Sequence, residues 1–144
     1  MGDIAWQIMS DAITRIEARD RGPADPRDRF LRVYGKLTET VRGFPPLITF
    51  VADDPDYALR VLTSSFGTVQ GHLIAWVSRQ LATAELRSNV EVDDLAYAIV
   101  RLCESFLWSD MITGSPPRAD TAMAMIELLL IGACAPSTPR SSRQ

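Results

Sequence analysis

The 144-residue sequence predicts an all-α bundle. Apolar residues recur at three- and four-residue spacing along most of the chain. Helix start and stop signals separate these runs. No segment shows period-two alternation closed by hairpin turns, so strand content should be near zero. The length fits one domain and suffices to bury a core without disulfide or metal staples. A composition of 47% hydrophobic and 23% charged residues is that of a globular chain. Residues 1–135 form the expected domain. Residues 136–144, mostly Ser, Pro and Arg, form an expected disordered tail.

The elements follow in order. Ile4 to Arg19 carries a broad apolar stripe of Ile4, Trp6, Ile8, Met9, Ala12, Ile13 and Ile16, and Gly22-Pro23 follows its end. Asp25 is a natural N-cap for a second helix, with Pro26 at its first position and Asp28 in its first turn. Phe30, Val33, Tyr34, Leu37 and Val41 define its inner face, and Gly43-Phe44-Pro45-Pro46 stops it. Leu47 to Ala52 is a short apolar helix. Asp54 and Pro55 then start another, ending near Leu62. Ser64-Ser65-Phe66-Gly67 reads as a hinge. A long helix is expected from Thr68 to about Arg87, another from Asp93 to Thr113, and a last from Arg118 to about Ala135. These last two are apolar around most of their circumference, which requires either a central position in the core or a partner chain.

Composition and motifs exclude several functions. A net charge of −3 lacks the basic surplus of a nucleic-acid-binding domain. Cys103 and Cys134 lie inside apolar helices without a CxxC spacing and read as reduced thiols. The start of the chain lacks a secretory pattern. The longest apolar run, Ala122 to Ala135, is broken by Glu127 and falls short of the about 20 residues that span a bilayer. A cytoplasmic protein without membrane contact is expected. His72, the single histidine, has no partners at metal-ligand or catalytic spacing, so neither a metal, a cofactor nor an enzymatic activity is expected. Gly35-Lys36 lacks the phosphate-loop pattern, and Asp53-Asp54-Pro55-Asp56 is accounted for by helix capping around Pro55. Arg101 and Glu104 lie three apart in the most apolar helix. They read either as a surface ion pair or as a polar anchor projecting into a ligand cavity.

The run from Asp94 to Gly114, DLAYAIVRLCESFLWSDMITG, resembles the regulatory domain of TetR-type transcriptional regulators, in the group that includes a quorum-signal-degradation repressor. The segments RFLRVYG from Arg29, DDPDYALRVLT from Asp53 and VQGHLI from Val69 extend the likeness over about Ile4 to Leu130. The resemblance implies a helical bundle whose last two long helices pair with those of a second copy. It also implies a cavity for a small, usually apolar molecule, with acyl-lactones or fatty acyl compounds as the suggested class. Trp6, Tyr34, His72, Trp76, Tyr97, Arg101 and Glu104 are the expected ligand-binding residues. Leu102, Phe106, Met123, Ile126 and Leu130 are the expected homodimer contacts. Relatives carry about fifty residues of helix-turn-helix before the first regulatory helix, whereas that helix here begins at Ile4. The chain as given is therefore expected not to bind DNA directly. It would act as a ligand-sensing and dimerisation domain, or alternatively as a headless partner forming mixed dimers with a complete regulator.

Overall fold

The computed structural model describes residues 2–63 and 68–136. The expected hinge at 64–67 and the tail beyond 136 lie outside them. The helices are α1 (Gly2–Arg19), α2 (Pro26–Arg42), α3 (Pro45–Asp53), α4 (Pro55–Thr63), α5 (Thr68–Leu81), α6 (Val92–Leu107), α7 (Ser109–Thr113) and α8 (Ala119–Ala133). The only β-type pairing among the described residues is a single bridge between Leu86 and Cys134. No described helix is long and apolar enough to cross a membrane.

Local signals set the first helices. The Asp25 carboxylate accepts from the Asp28 N–H at 3.1 Å, and Pro26 opens α2. Such a cap contributes about 1 kcal/mol. Asp20 fixes the α1–α2 turn by accepting two bonds from the Arg32 guanidinium, at 2.8 and 3.0 Å. That contact holds the Asp20 carboxyl below its ordinary pKa. Asp54 accepts from the Tyr57 N–H at 3.1 Å, so the acidic cluster around Pro55 serves a helix junction.

At the centre α6 packs against α5 on one side and α8 on the other. Leu95, Ala96, Ile99, Val100, Cys103 and Leu107 of α6 are buried. So are Ala122, Ile126, Leu130 and Ala133 of α8, a single stripe at helical spacing. The two helices run antiparallel: the Arg118 N–H before α8 bonds the Phe106 carbonyl, and Leu86 before α6 pairs with Cys134 after α8. Phe30, Tyr34 and Trp76 form an aromatic cluster linking α2 to α5, with ring centroids 5.1 to 6.4 Å apart.

Three expectations about the later helices are corrected. The helix from Thr68 ends at Leu81, not near Arg87. Residues 85–87 are instead drawn out to satisfy the end of α8. Arg87 N–H donates to the Ala133 carbonyl and Ala135 N–H to the Glu85 carbonyl, both at 2.9 Å. The Arg87 side chain caps the Gly132 carbonyl at 2.8 Å, so orphan carbonyls of the helix end find donors. The helix expected over Asp93 to Thr113 breaks at Trp108 into α6 and α7, and Gly114 closes α7 in the left-handed region at φ 74°. The buried Ser109 hydroxyl helps fix this break, lying 3.0 to 3.1 Å from the carbonyls of Phe106, Ser115 and Pro116. Finally, Ile126 and Leu130, expected at a dimer contact, are both 0% exposed within this one chain. They fill its own core and have no surface left for a partner.

Ile126→Ala should therefore lower the unfolding free energy by about 2–5 kcal/mol, through lost transfer energy and a residual cavity. Ile48→Ala, on the exposed side of α3, should change it by no more than about 0.5 kcal/mol. Urea unfolding of the two variants beside the parent chain checks both values.

Candidate ligand cavity

A cavity of about 280 Å³ lies between α1, α2, α3, the end of α4, the start of α5 and the second half of α6. That volume is at the lower end of small-molecule sites, which run to about 1,000 Å³. Helix α1 supplies Ile4, Ala5, Ile8, Met9 and Ala12 to the wall, and α2 supplies Tyr34, Leu37, Thr38 and Val41. Phe44, Pro46, Leu47 and Phe50 come from α3 and the turn before it. Val61, Leu62, Val69 and Leu73 come from α4 and α5, and Val100, Cys103, Glu104 and Leu107 from α6, with Trp108 at its end. Seven of the nine residues of α3, Pro45 to Asp53, are apolar or proline, yet none is fully buried. The inner side of α3 faces the cavity in place of packed protein.

The polar groups of the wall are few, and most have partners. The Thr38 hydroxyl donates to the Gly35 carbonyl at 2.8 Å, and the Thr40 hydroxyl to the Lys36 carbonyl at 2.8 Å. Arg15, on the exposed side, donates through Nε to the Asp11 carbonyl at 3.2 Å. Tyr34 is fully enclosed against Cys103, and burial pushes its phenol well above the ordinary value. Burial likewise raises the Cys103 thiol to about 11, which leaves it protonated and chemically inert at neutral pH.

Glu104 is the exception in chemistry. Its side chain is 13% exposed and lines the cavity. Arg101 Nη1 lies 3.1 Å from its Oε2, and the Gln70 amide donates to its Oε1. Arg101 also donates to the Thr63 carbonyl at 2.6 Å, so one knot joins the ends of α4, α5 and α6. Burial outweighs Arg101 and Gln70 and raises the Glu104 carboxyl from 4.5 to about 7.

Of the seven residues expected to bind ligand, Tyr34 and Glu104 line the cavity. Arg101 stands behind Glu104 as its ion-pair partner. Trp76 belongs to the aromatic cluster, its indole N–H donating to Glu17 at 3.3 Å. Trp6 and His72 stack on each other at 4.9 Å outside the cavity wall. Tyr97 is exposed, beneath the Arg101 guanidinium at 5.2 Å. Sequence reasoning missed the aliphatic wall and Trp108. The one available signal was the short α3, too apolar for an exposed helix and too short to form a core.

A carboxyl raised on folding binds its proton more tightly in the native state than in the unfolded one. Its presence therefore lowers stability progressively as pH rises from about 4.5 to about 7. Glu104→Gln, nearly isosteric, should remove that slope. At about 1.4 kcal/mol per pKa unit, the difference between pH 4.5 and pH 8 is at most about 3 kcal/mol. Denaturant unfolding of both proteins across this range measures it.

The fold and cavity can be set beside known proteins. Residues 26–131 match the family described as "Tetracyclin repressor-like, C-terminal domain". No curated protein matches the sequence. Among solved structures, the chain is similar in fold to the R. erythropolis transcriptional repressor QsdR from the TetR family, with a TM-score of 0.76 and 18% identity. That similarity covers 95% of this chain and 73% of the repressor. A family match across most of the chain, on the same all-helical architecture, shows that this protein belongs to the tetracycline-repressor-like C-terminal domain family.

Proposed function

We propose that this domain senses a small, largely apolar molecule in the α1–α6 cavity and pairs with a second copy through the outer side of α8. The observation that carries the sensing role is the cavity itself: an aliphatic and aromatic wall with one acidic side chain, Glu104, buried in it. Pockets with few polar groups in an apolar lining are the usual form of small-molecule sites. Six residues of α1 belong to the wall, so occupancy of the cavity and the position of α1 are physically linked. A ligand would act by its differential affinity for two placements of α1.

Pairing is supported by what α8 leaves uncovered. Met125, Leu128 and Ile131 are exposed at three-residue spacing, with Leu128 at 61%. Tyr97 of α6 and Ile112 of α7 are also exposed. An apolar stripe on a helix otherwise built into the core is the mark of a partner surface. Leu102, Phe106 and Met123 are half-buried and can border such a contact, whereas Ile126 and Leu130 cannot contribute to it.

Two measurements check the two halves of this reading. In a thermal-shift assay at pH 8, 1-octanol should raise the melting temperature saturably. At a hundredfold excess over Kd, the stabilisation is about 2.7 kcal/mol. Ala12→Phe, which fills the cavity from α1, should abolish that response. In sedimentation at tens of micromolar, the parent chain should run as a dimer. Leu128→Glu combined with Ile131→Glu should run as a folded monomer, and a parent chain that is itself monomeric contradicts the pairing.

A further inference from the structure

The hydrogen-bonding inventory around Glu104 has a consequence for what the cavity accepts. Several donors in the wall are committed. The Thr38 and Thr40 hydroxyls donate to backbone carbonyls, Arg15 Nε donates to Asp11, and the Tyr34 hydroxyl is held against Cys103. Arg101 is shared between Glu104 and the Thr63 carbonyl. Acceptors remain open. Each Glu104 oxygen has one protein donor and keeps a further lone pair. Behind it Gln70 is buried, its amide oxygen without a hydrogen-bond partner among the described residues. At Glu104 the cavity wall therefore offers open acceptor capacity.

Charge narrows the choice further. Glu104 and Arg101 already form a neutral pair in a mostly apolar surround. A carboxylate brought there would face a carboxylate, and an ammonium would add an uncompensated charge in a poorly solvated place. An uncharged N–H or O–H group satisfies the open acceptor and leaves the pair intact.

We infer that Glu104 is the specificity-determining residue of the cavity, selecting an amphiphile with an uncharged, hydrogen-bond-donating head over a carboxylate or ammonium of the same chain length. This rests on the cavity being a ligand site. Glu104 holds the donor, Arg101 keeps the carboxylate oriented, and the apolar chain lies against α1, α2 and α3. The volume of about 280 Å³ equals about nine water molecules at about 30 Å³ each, which suits a small amphiphile.

The test uses four probes with one eight-carbon chain: octanamide, 1-octanol, octanoate and octylamine. Calorimetric titration at pH 8, where Glu104 is mainly ionised, gives their Kd values for the whole chain. Octanamide and 1-octanol should bind at least about tenfold more tightly than octanoate and octylamine. In Glu104→Gln, whose amide can donate to a carboxylate, the preference of octanamide over octanoate should fall to about threefold or less. Circular dichroism melting verifies that this variant is folded, and Glu104→Asp should keep the sense of the preference. Octanoate or octylamine binding as tightly as octanamide to the parent chain would overturn the inference. So would a preference unchanged in Glu104→Gln, which places the head elsewhere. Failure of all four probes to bind would overturn the ligand-site reading and this one with it, a result distinct from unselective binding.

Discussion

The structure depends on α6 being apolar on two sides at once. Its buried residues, from Leu95 to Leu107, span an arc too wide for one neighbouring helix to cover. Both α5 and α8 are therefore drawn against it. Because α8 must cover one side, its inner stripe of Ala122, Ile126 and Leu130 is consumed within the chain. Its outer stripe is left for whatever meets it next. Because α5 covers the other side, Gln70 is brought against Glu104. The cavity is what remains where α3 and α4 cannot complete this packing.

Placing Glu104 at that gap has an energetic cost. A carboxyl taken out of water loses hydration that an ion pair and a hydrogen bond only partly restore. The upward direction of its pKa reflects that shortfall. The same incomplete satisfaction suits the proposed role, since a carboxylate with spare acceptor capacity would gain by meeting a donor on a ligand. Its partner Arg101 also holds the last turn of α4, through the Thr63 carbonyl. A ligand engaging Glu104, as proposed, would thus bear on how α4, α5 and α6 are tied together. Under the proposed sensing role, a signal leaving the site would have two physical routes, that knot and the α1 wall.

Much of the fold is legible in the sequence where a local signal and a periodicity coincide. Asp25, Pro26 and the spacing of Phe30, Val33, Tyr34 and Leu37 identify α2, its cap and its buried face, as observed. The breaks after Leu81 and at Trp108 are not legible. Ala82-Thr83-Ala84 and Ser109-Asp110-Met111 carry no strong helix breaker, and what ends each helix is a distant partner or a loop carbonyl. The inner side of α8 is also hidden. Met125 and Ile126 are equally apolar, so the pattern does not show which one faces the core. The cavity wall escaped reading for the same reason. Leu37, Leu73 and Leu107 look like core residues, since a wall and a core need the same side chains. Aromatic size drew attention to Trp76 and Tyr97, one of which is core and the other surface. Glu104 was legible as an anomaly because a carboxylate amid Leu102, Cys103, Phe106 and Leu107 requires an explanation.

The central claim is that the gap beside α6 holds an amphiphile by its polar end at Glu104. Crystals grown with 8-bromo-1-octanol test it directly, because bromine scatters anomalously. The account predicts one bromine peak per chain within the cavity, among the α1, α2 and α3 side chains, with the hydroxyl in hydrogen-bonding range of Glu104. Bromine found only along Met125, Leu128 and Ile131, or a cavity closed by movement of α3 with no probe inside, would contradict it.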